Sequence, residues 1–243
     1  MGQKITKELL DTNDFRIFGL AWNCRGMTDN IESDAVTLEK DAYEPLIFMK
    51  DKNSITTEIN IHIPFCEKDV VVWGEPELCV IFDEASKIVT TVIVNDVTIL
   101  HNNSDRDHHL PINKSIRRTF AIQPIYELYK TFDTKYTTCL MGSIFSTDNK
   151  CCTLDRFGYL RDLIWIDPNN VNQHIRKYFG VFQGLTLISF GTVPVVTCNP
   201  QKVAEPHYIH CCESYCCVID GFGSLFNKFH FQNTEGQKGL KNV

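Results

Sequence analysis

The sequence predicts a strand-rich α+β fold, and three observations predict it. Apolar runs dominated by Val, Ile and Phe recur along the chain, punctuated by Gly, Asn, Asp and Pro. Clear helical spacing of apolar residues is confined to a single segment. The 243 residues, 43% of them hydrophobic and 22% charged, suffice for one large domain or two small ones with a buried core.

Taken in order, strands are expected in residues 15–22, 45–49 and 59–64, then in two longer runs at 70–82 and 88–100, and again at 120–126, 185–196 and 216–231. Between the first two lies an acidic stretch, residues 28–44, that reads as a solvated loop or helix, or as a mobile segment over a site. Residues 131–166 leave room for an excursion or a hairpin. The helix is expected in "DPNNVNQHIRKYFGVFQG", starting at Pro168 and ending near Gly180 or Gly184. Its apolar stripe, Val171, Ile175, Tyr178 and Phe179, is expected to pack on a sheet. No repeat or low-complexity block interrupts this order, and the end of the chain, "NTEGQKGLKNV", is polar.

Charge and cysteine content narrow the function. A formal charge of −6, with no Lys/Arg stripe, argues against nucleic acid as a partner, while a local cationic pocket for a small anion remains compatible with it. No apolar segment is long enough to predict a membrane span. The N-terminal segment lacks the apolar core of a signal peptide, and the 11 cysteines then read as free thiols in a reducing compartment; an intracellular location, cytoplasmic or mitochondrial, is expected. Gly2 and Thr6 match the loose N-myristoylation pattern. His207, His210 and the doublets Cys211-Cys212 and Cys216-Cys217 offer zinc ligands, but their spacing is not the usual C-x2-C, and buried strand thiols are the simpler reading.

The chemistry-bearing signal is "VVWGEPELCVIF". Side chains alternate faces along a strand, so Glu75 and Glu77 point the same way inside an apolar run, where an unpaired carboxylate is costly. The next run, "TVIVNDVTIL", carries one further acid, Asp96. Two readings stay open: three oxygen ligands around one Mg²⁺ or Mn²⁺, or glutamates facing solvent while Asp96 caps a turn.

Beyond these residues the chain resembles the fumarylacetoacetate hydrolase family. "GEPELCVIF" followed by "VIVNDVT" is similar to the family's E-x-E-L and N-D-V-T segments. Along the chain in the family's order, "EPLIFMK" ending at Lys50 precedes them, and "LPINKSIRRTFAIQP" with Gln123 where glycine is usual, "QGLTLISFGT" and "CCVIDGFGSLFNKF" follow. The resemblance covers most of residues 15–231 as one domain, leaving 1–14 as an N-terminal extension and 232–243 as a tail. It implies a mixed β-roll with flanking helices, a homodimer, and a metal-dependent hydrolase or lyase acting on a small anionic oxo acid such as an acylpyruvate or oxaloacetate. By position, Glu75, Glu77 and Asp96 would hold Mg²⁺ or Mn²⁺, Lys114 would polarise a substrate oxygen or pair with a carboxylate, and Gly191 and Thr192 would hold the substrate's far end.

Departures from the family pattern redirect the expected chemistry. Arg25 and Thr28 stand where active relatives carry a histidine and a glutamate that activate water, and the arginine after N-D-V-T and the N-G-x-x-x-Q segment are missing. Arg25 is then a substrate-side cation, or an internal one that balances the carboxylates. His101, His108, His109 and Arg106 are the residues at hand to compensate. Decarboxylation or tautomerisation, which needs no activated water, is expected over hydrolysis; the alternative is a pseudoenzyme kept for structure or ligand binding.

Overall fold

The computed structural model describes residues 2–12, 14–21, 23–24, 46–101, 114, 116–125, 138–146, 153–193, 195 and 206–232. Arg25, Thr28, Arg106, His108, His109, the acidic stretch 28–44 and the tail from 233 lie outside them.

Three sheets carry the described chain. The largest has seven strands in the order β2 (Leu46–Lys50), β1 (Phe15–Ala21), β12 (Leu185–Ser189), β6 (Pro76–Phe82), β7 (Ile88–Asp96), β9 (Phe120–Ile122) and β3 (Ile55–Thr56). Five strands form the second: β11 (Thr153–Tyr159), β10 (Leu140–Ser146), β13 (Ser214–Ile219), β14 (Gly223–Phe231) and β4 (Asn60–Ile63). The third is the pair β5 (Val70–Trp73) and β8 (Thr98–His101). Parallel pairs (β1 with β12, β3 with β9, β4 with β14) sit among antiparallel ones, so the fold is the strand-rich mixed one expected.

Burial explains the two kinds of strand sequence. All seven residues of β6 and the last seven of β7 are buried, because both faces are covered. One face (Leu78, Val80, Phe82, Ile93) packs with Ile61, Met141, Cys217, Ile219 and Phe229 of the five-stranded sheet. The other (Cys79, Ile81, Val92, Val94) packs with Ile17, Leu187 and Ile122 and with Leu10 of helix α1 (Gly2–Thr12). In β13 and β14 buried residues alternate with more accessible ones, as in a sheet with one face toward water.

Several expectations are refined. The extension, for which no element was expected, contains a helix, tied down where Thr6 Oγ1 accepts the Ile125 N–H at 2.6 Å. Residues 131–166 do contain a hairpin, β10 with β11. The second helix, α2 (Pro168–Phe179), begins at the Asp167 cap and stops at Gly180, whose φ of 81° only glycine adopts readily. Its stripe packs only in part: Val171 and Ile175 are buried, whereas Tyr178 is 63% exposed and Phe179 42%, with Phe179 leaning on Phe18 at 5.0 Å between ring centres.

The correction that matters most concerns the two long runs. Each is two strands, because the chain changes sheets midway. Residues 70–82 leave the β5–β8 ladder at Gly74 and Glu75 to enter the β6–β7 ladder, and residues 88–100 cross the same boundary at Val97. Glu75 therefore lies at the junction and not within a strand shared with Glu77. The three acids cluster at this bend, with Asp96 closing β7 and Glu77 second in β6.

Candidate metal centre

One carboxylate oxygen each from Glu75, Glu77 and Asp96 lies within 4.8 Å of the others, and all three residues are buried. Among the described residues this is the one such group of His, Cys, Asp or Glu. The backbone fixes it from several sides. Asp96 N–H donates to Glu75 O at 2.9 Å, and Glu75 N–H donates to Asn95 Oδ1 at 3.0 Å. Asn95 Nδ2 in turn donates to Asn227 Oδ1 of β14 at 3.0 Å.

Cations meet these acids inside the protein. Lys114 Nζ donates to Glu75 Oε2 and, at 3.0 Å, to Asp96 Oδ2. Lys50 Nζ donates to Asp96 Oδ1 at 2.7 Å and to the Lys114 carbonyl at 2.9 Å. Arg156 Nη2 donates to Glu75 Oε1 at 3.4 Å, where Trp73 Nε1 also donates at 2.9 Å. Lys50 reaches Asp96 although β1, β12 and β6 lie between their strands; four flat-sheet spacings would set these strands roughly 19 Å apart. The seven-stranded sheet must therefore curl, as a β-roll does.

Glu77 sits differently. Its Oε2 accepts from the Ser189 hydroxyl and from Gly191 N–H at 3.3 Å. Both donors are neutral. Burial raises the Glu77 carboxyl to about 8, the Asp96 charge adds to the rise, and Lys114 opposes it only in part. Burial would lift Glu75 too, but Lys114 and Arg156, with hydrogen bonds from Lys114 and Trp73, bring it down to about 2. Burial disfavours the Lys114 ammonium, yet Asp96, Glu75 and Glu77 together raise it above the ordinary lysine value.

Two glycines are required by close approach. A Cβ on Gly74 would lie 2.5 Å from the Tyr215 ring, and Gly74 O accepts from Tyr215 at 2.9 Å and from Arg156 Nε at 3.3 Å. Gly191 has φ of 78°, and a Cβ there would lie 2.7 Å from Leu20 O. Next to it, Thr192 Oγ1 is buried without a hydrogen-bond partner among the described residues.

The structure thus brings Glu75, Glu77, Asp96, Lys114 and Gly191 into one cluster, with Thr192 beside it; the solvent-facing alternative for the glutamates is excluded by their burial. Sequence reasoning gave no role to Lys50 and missed Arg156, Trp73, Ser189 and the Asp155–Tyr215 pair behind Arg156. Asp155 Oδ2 lies 2.6 Å from the Tyr215 hydroxyl, which also approaches Ser143 Oγ at 2.6 Å. Gln123, standing where glycine was usual, has a structural part: it accepts from Ile93 N–H at 3.2 Å and donates to Phe222 O at 3.1 Å. The Cys/His segment forms no metal cluster among the described residues. His207 pairs with Glu213 and His210 with Glu67, each at 2.7 Å; of the thiols expected to be buried in a strand, Cys217 is buried and Cys216 half-buried in β13, whereas Cys211 and Cys212 are exposed in the turn before it.

A donor set of three buried carboxylates fits a hard divalent cation, which prefers oxygen ligands. Lys114 Nζ is the group that now bridges two of them.

Solved structures share this architecture. Cg1458 matches with a TM-score of 0.64 and 18% identity over 89% of this chain and 76% of its own. A 2-keto-3-deoxy-D-arabinonate dehydratase complexed with magnesium and 2,5-dioxopentanoate matches at 0.62 and 16% over 90% and 73%. A 5-carboxymethyl-2-hydroxymuconate delta-isomerase from Mycobacterium smegmatis matches at 0.60 and 16% over 90% and 79%. No family profile and no curated protein matches the sequence. At such identities the likeness establishes architecture, and on that footing the chain has the fold of the fumarylacetoacetate hydrolase family that its motifs resemble.

Proposed function

We propose that the protein is a divalent-metal-dependent enzyme acting on a small anionic oxo acid, by decarboxylation or tautomerisation rather than hydrolysis. The observation that carries this reading is the buried Glu75–Glu77–Asp96 cluster, since three carboxylates gathered in an interior cost free energy unless a cation repays it. The magnesium-complexed dehydratase and the isomerase, proteins of the same fold, supply the chemical class.

Glu75, Glu77 and Asp96 would hold Mg²⁺ or Mn²⁺, which supplies Lewis-acid stabilisation of negative charge developing on an oxo-acid oxygen. Lys114 offers a permanent positive charge and a proton at Nζ for the substrate's carboxylate or enol oxygen. Thr192 Oγ1, buried and without a hydrogen-bond partner among the described residues, would bind a polar substrate atom, with the Gly191 turn beside it. Arg25 in place of the water-activating histidine disfavours hydrolysis, because a guanidinium stays protonated at neutral pH. A homodimer belongs to this proposal, and light scattering after gel filtration tests it.

The testing experiment is calorimetric titration of chelator-treated protein with Mg²⁺ and Mn²⁺, beside Glu77→Ala. Saturable binding abolished by the substitution supports the reading and directs screening to oxaloacetate and acylpyruvates. Absence of binding by the native chain overturns it. One observation favours a second reading: Lys50, Lys114 and Arg156 already pair with two of the three acids, Glu75 and Asp96, an arrangement that would serve a pseudoenzyme in place of a metal.

A further inference from the structure

The geometry points to Lys114 as a tethered counter-ion that occupies the carboxylate cluster and must withdraw its ammonium before a divalent cation can enter. This inference rests on the metal-site reading above and adds to it a defined competition, in which the metal and Lys114 Nζ use the same oxygens.

The three internal cations are not equivalent. Arg156 is anchored independently of the three acids, with Nη1 donating to Val193 O at 3.1 Å, Nε to Gly74 O at 3.3 Å and Asp155 Oδ2 at 3.9 Å from Nε, and of the three it pairs with Glu75 alone, at Oε1. Lys50 takes Asp96 Oδ1 and holds the Lys114 carbonyl, so it pins both an acid and the backbone from which Lys114 extends. These two occupy Glu75 Oε1 and Asp96 Oδ1 and leave Glu75 Oε2 and Asp96 Oδ2. Lys114 Nζ bonds both remaining oxygens and thereby bridges two of the three would-be ligands.

A cation placed between these oxygens would stand in close contact with Nζ, where two like charges repel strongly in a low-dielectric interior. Arg156 and Lys50 need not move, because the oxygens they bond, Glu75 Oε1 and Asp96 Oδ1, are not the two that Lys114 holds. Lys114 can, since its charge sits on a flexible four-carbon stem while its carbonyl stays bound to Lys50. Metal entry would then free the ammonium that a substrate anion requires. Lys50 is in this account a positioning residue, keeping the stem's origin fixed while its end changes partner.

The test compares Mg²⁺ and Mn²⁺ affinity of the chelator-treated native chain and of Lys114→Met by calorimetry. Removing the competing charge is expected to tighten binding by ~tenfold or more. Equal or weaker binding by the variant, with the native chain binding, overturns the competition and leaves the metal-site reading standing. Binding by the variant alone overturns the metal-site reading and the withdrawal together, because the native ammonium then never leaves the cluster. Binding by neither overturns both. Should Lys114→Met fail to fold, reductive methylation of the native chain answers instead. Peptide mass spectrometry is expected to show Lys114 labelling rising when Mg²⁺ is present while Lys50 stays protected. Labelling of Lys114 that is unchanged or reduced by Mg²⁺ overturns the proposal.

Discussion

Glu75 and Glu77 are two residues apart, equally deep in the protein, and their carboxyls lie on opposite sides of neutrality, at about 2 and about 8. Burial acts on both in the same direction. The difference is made by what faces them: Arg156, Lys114 and the Trp73 indole on one side, a serine hydroxyl and a backbone amide on the other. A carboxylate motif in a sequence therefore specifies position, while the charge it carries is set by residues far away along the chain.

The most damaging way to break this contrast is to remove the fixed cation. Arg156→Met leaves Glu75 charged and buried with one partner fewer, and should lower stability by about 3–5 kcal/mol in urea unfolding. Adding Glu75→Gln to it should recover only part of the loss, because Asp155 and the Gly74 and Val193 carbonyls also lose Arg156 as a partner.

The second effect is on pH dependence. Glu77 rises from its ordinary value of 4.5 to about 8 on folding, so between these values the folded state holds a proton that the unfolded state has released. Its contribution is present below 4.5 and is lost as pH rises toward 8. Glu75, falling from 4.5 to about 2, contributes stability above 4.5 that is lost as pH falls toward 2. Metal-free protein should thus weaken in both directions. Glu77→Gln should remove the alkaline loss, on the order of 3 kcal/mol between pH 5 and pH 8 by denaturant titration, and leave the acid loss in place.

A smaller change sharpens the neutral side. Ser189→Ala deletes the hydroxyl that donates to Glu77 and should cost roughly 1–3 kcal/mol by the same measurement. An exposed pair calibrates the scale: Arg118 and Glu58 are 3.4 Å apart with both side chains 52% exposed, and Arg118→Ala should change stability by less than about 0.5 kcal/mol.

Much of this was legible in the sequence, for physical reasons that particular residues show. β6 and β7 announce themselves because strands buried on both faces must be continuously apolar, and acids within them stand out. Helix α2 carries its own start and stop in Asp167, Pro168 and Gly180. The bend at Gly74 was hidden because Val70–Trp73 and Pro76–Phe82 are both good strand sequence, and only pairing with β8 and β7 separates them. Arg156 was hidden by a register irregularity: Ser143 pairs with Arg156 and Ile144 with Leu154, so Asp155 is the extra residue of a bulge. Asp155 and Arg156 are consequently both buried, where simple alternation would send one to water. The cation partners of Glu75 and Asp96 come from β2, β11 and the segment before β9, contacts that no local pattern encodes.

The most direct measurement is a crystal structure grown with Mn²⁺ and recorded for its anomalous signal. The account predicts one strong peak about 2.1 Å from oxygens of Glu75, Glu77 and Asp96, with Lys114 Nζ moved away and Arg156 and Lys50 in place. A map with no peak there and Lys114 still bridging Glu75 and Asp96 would contradict it.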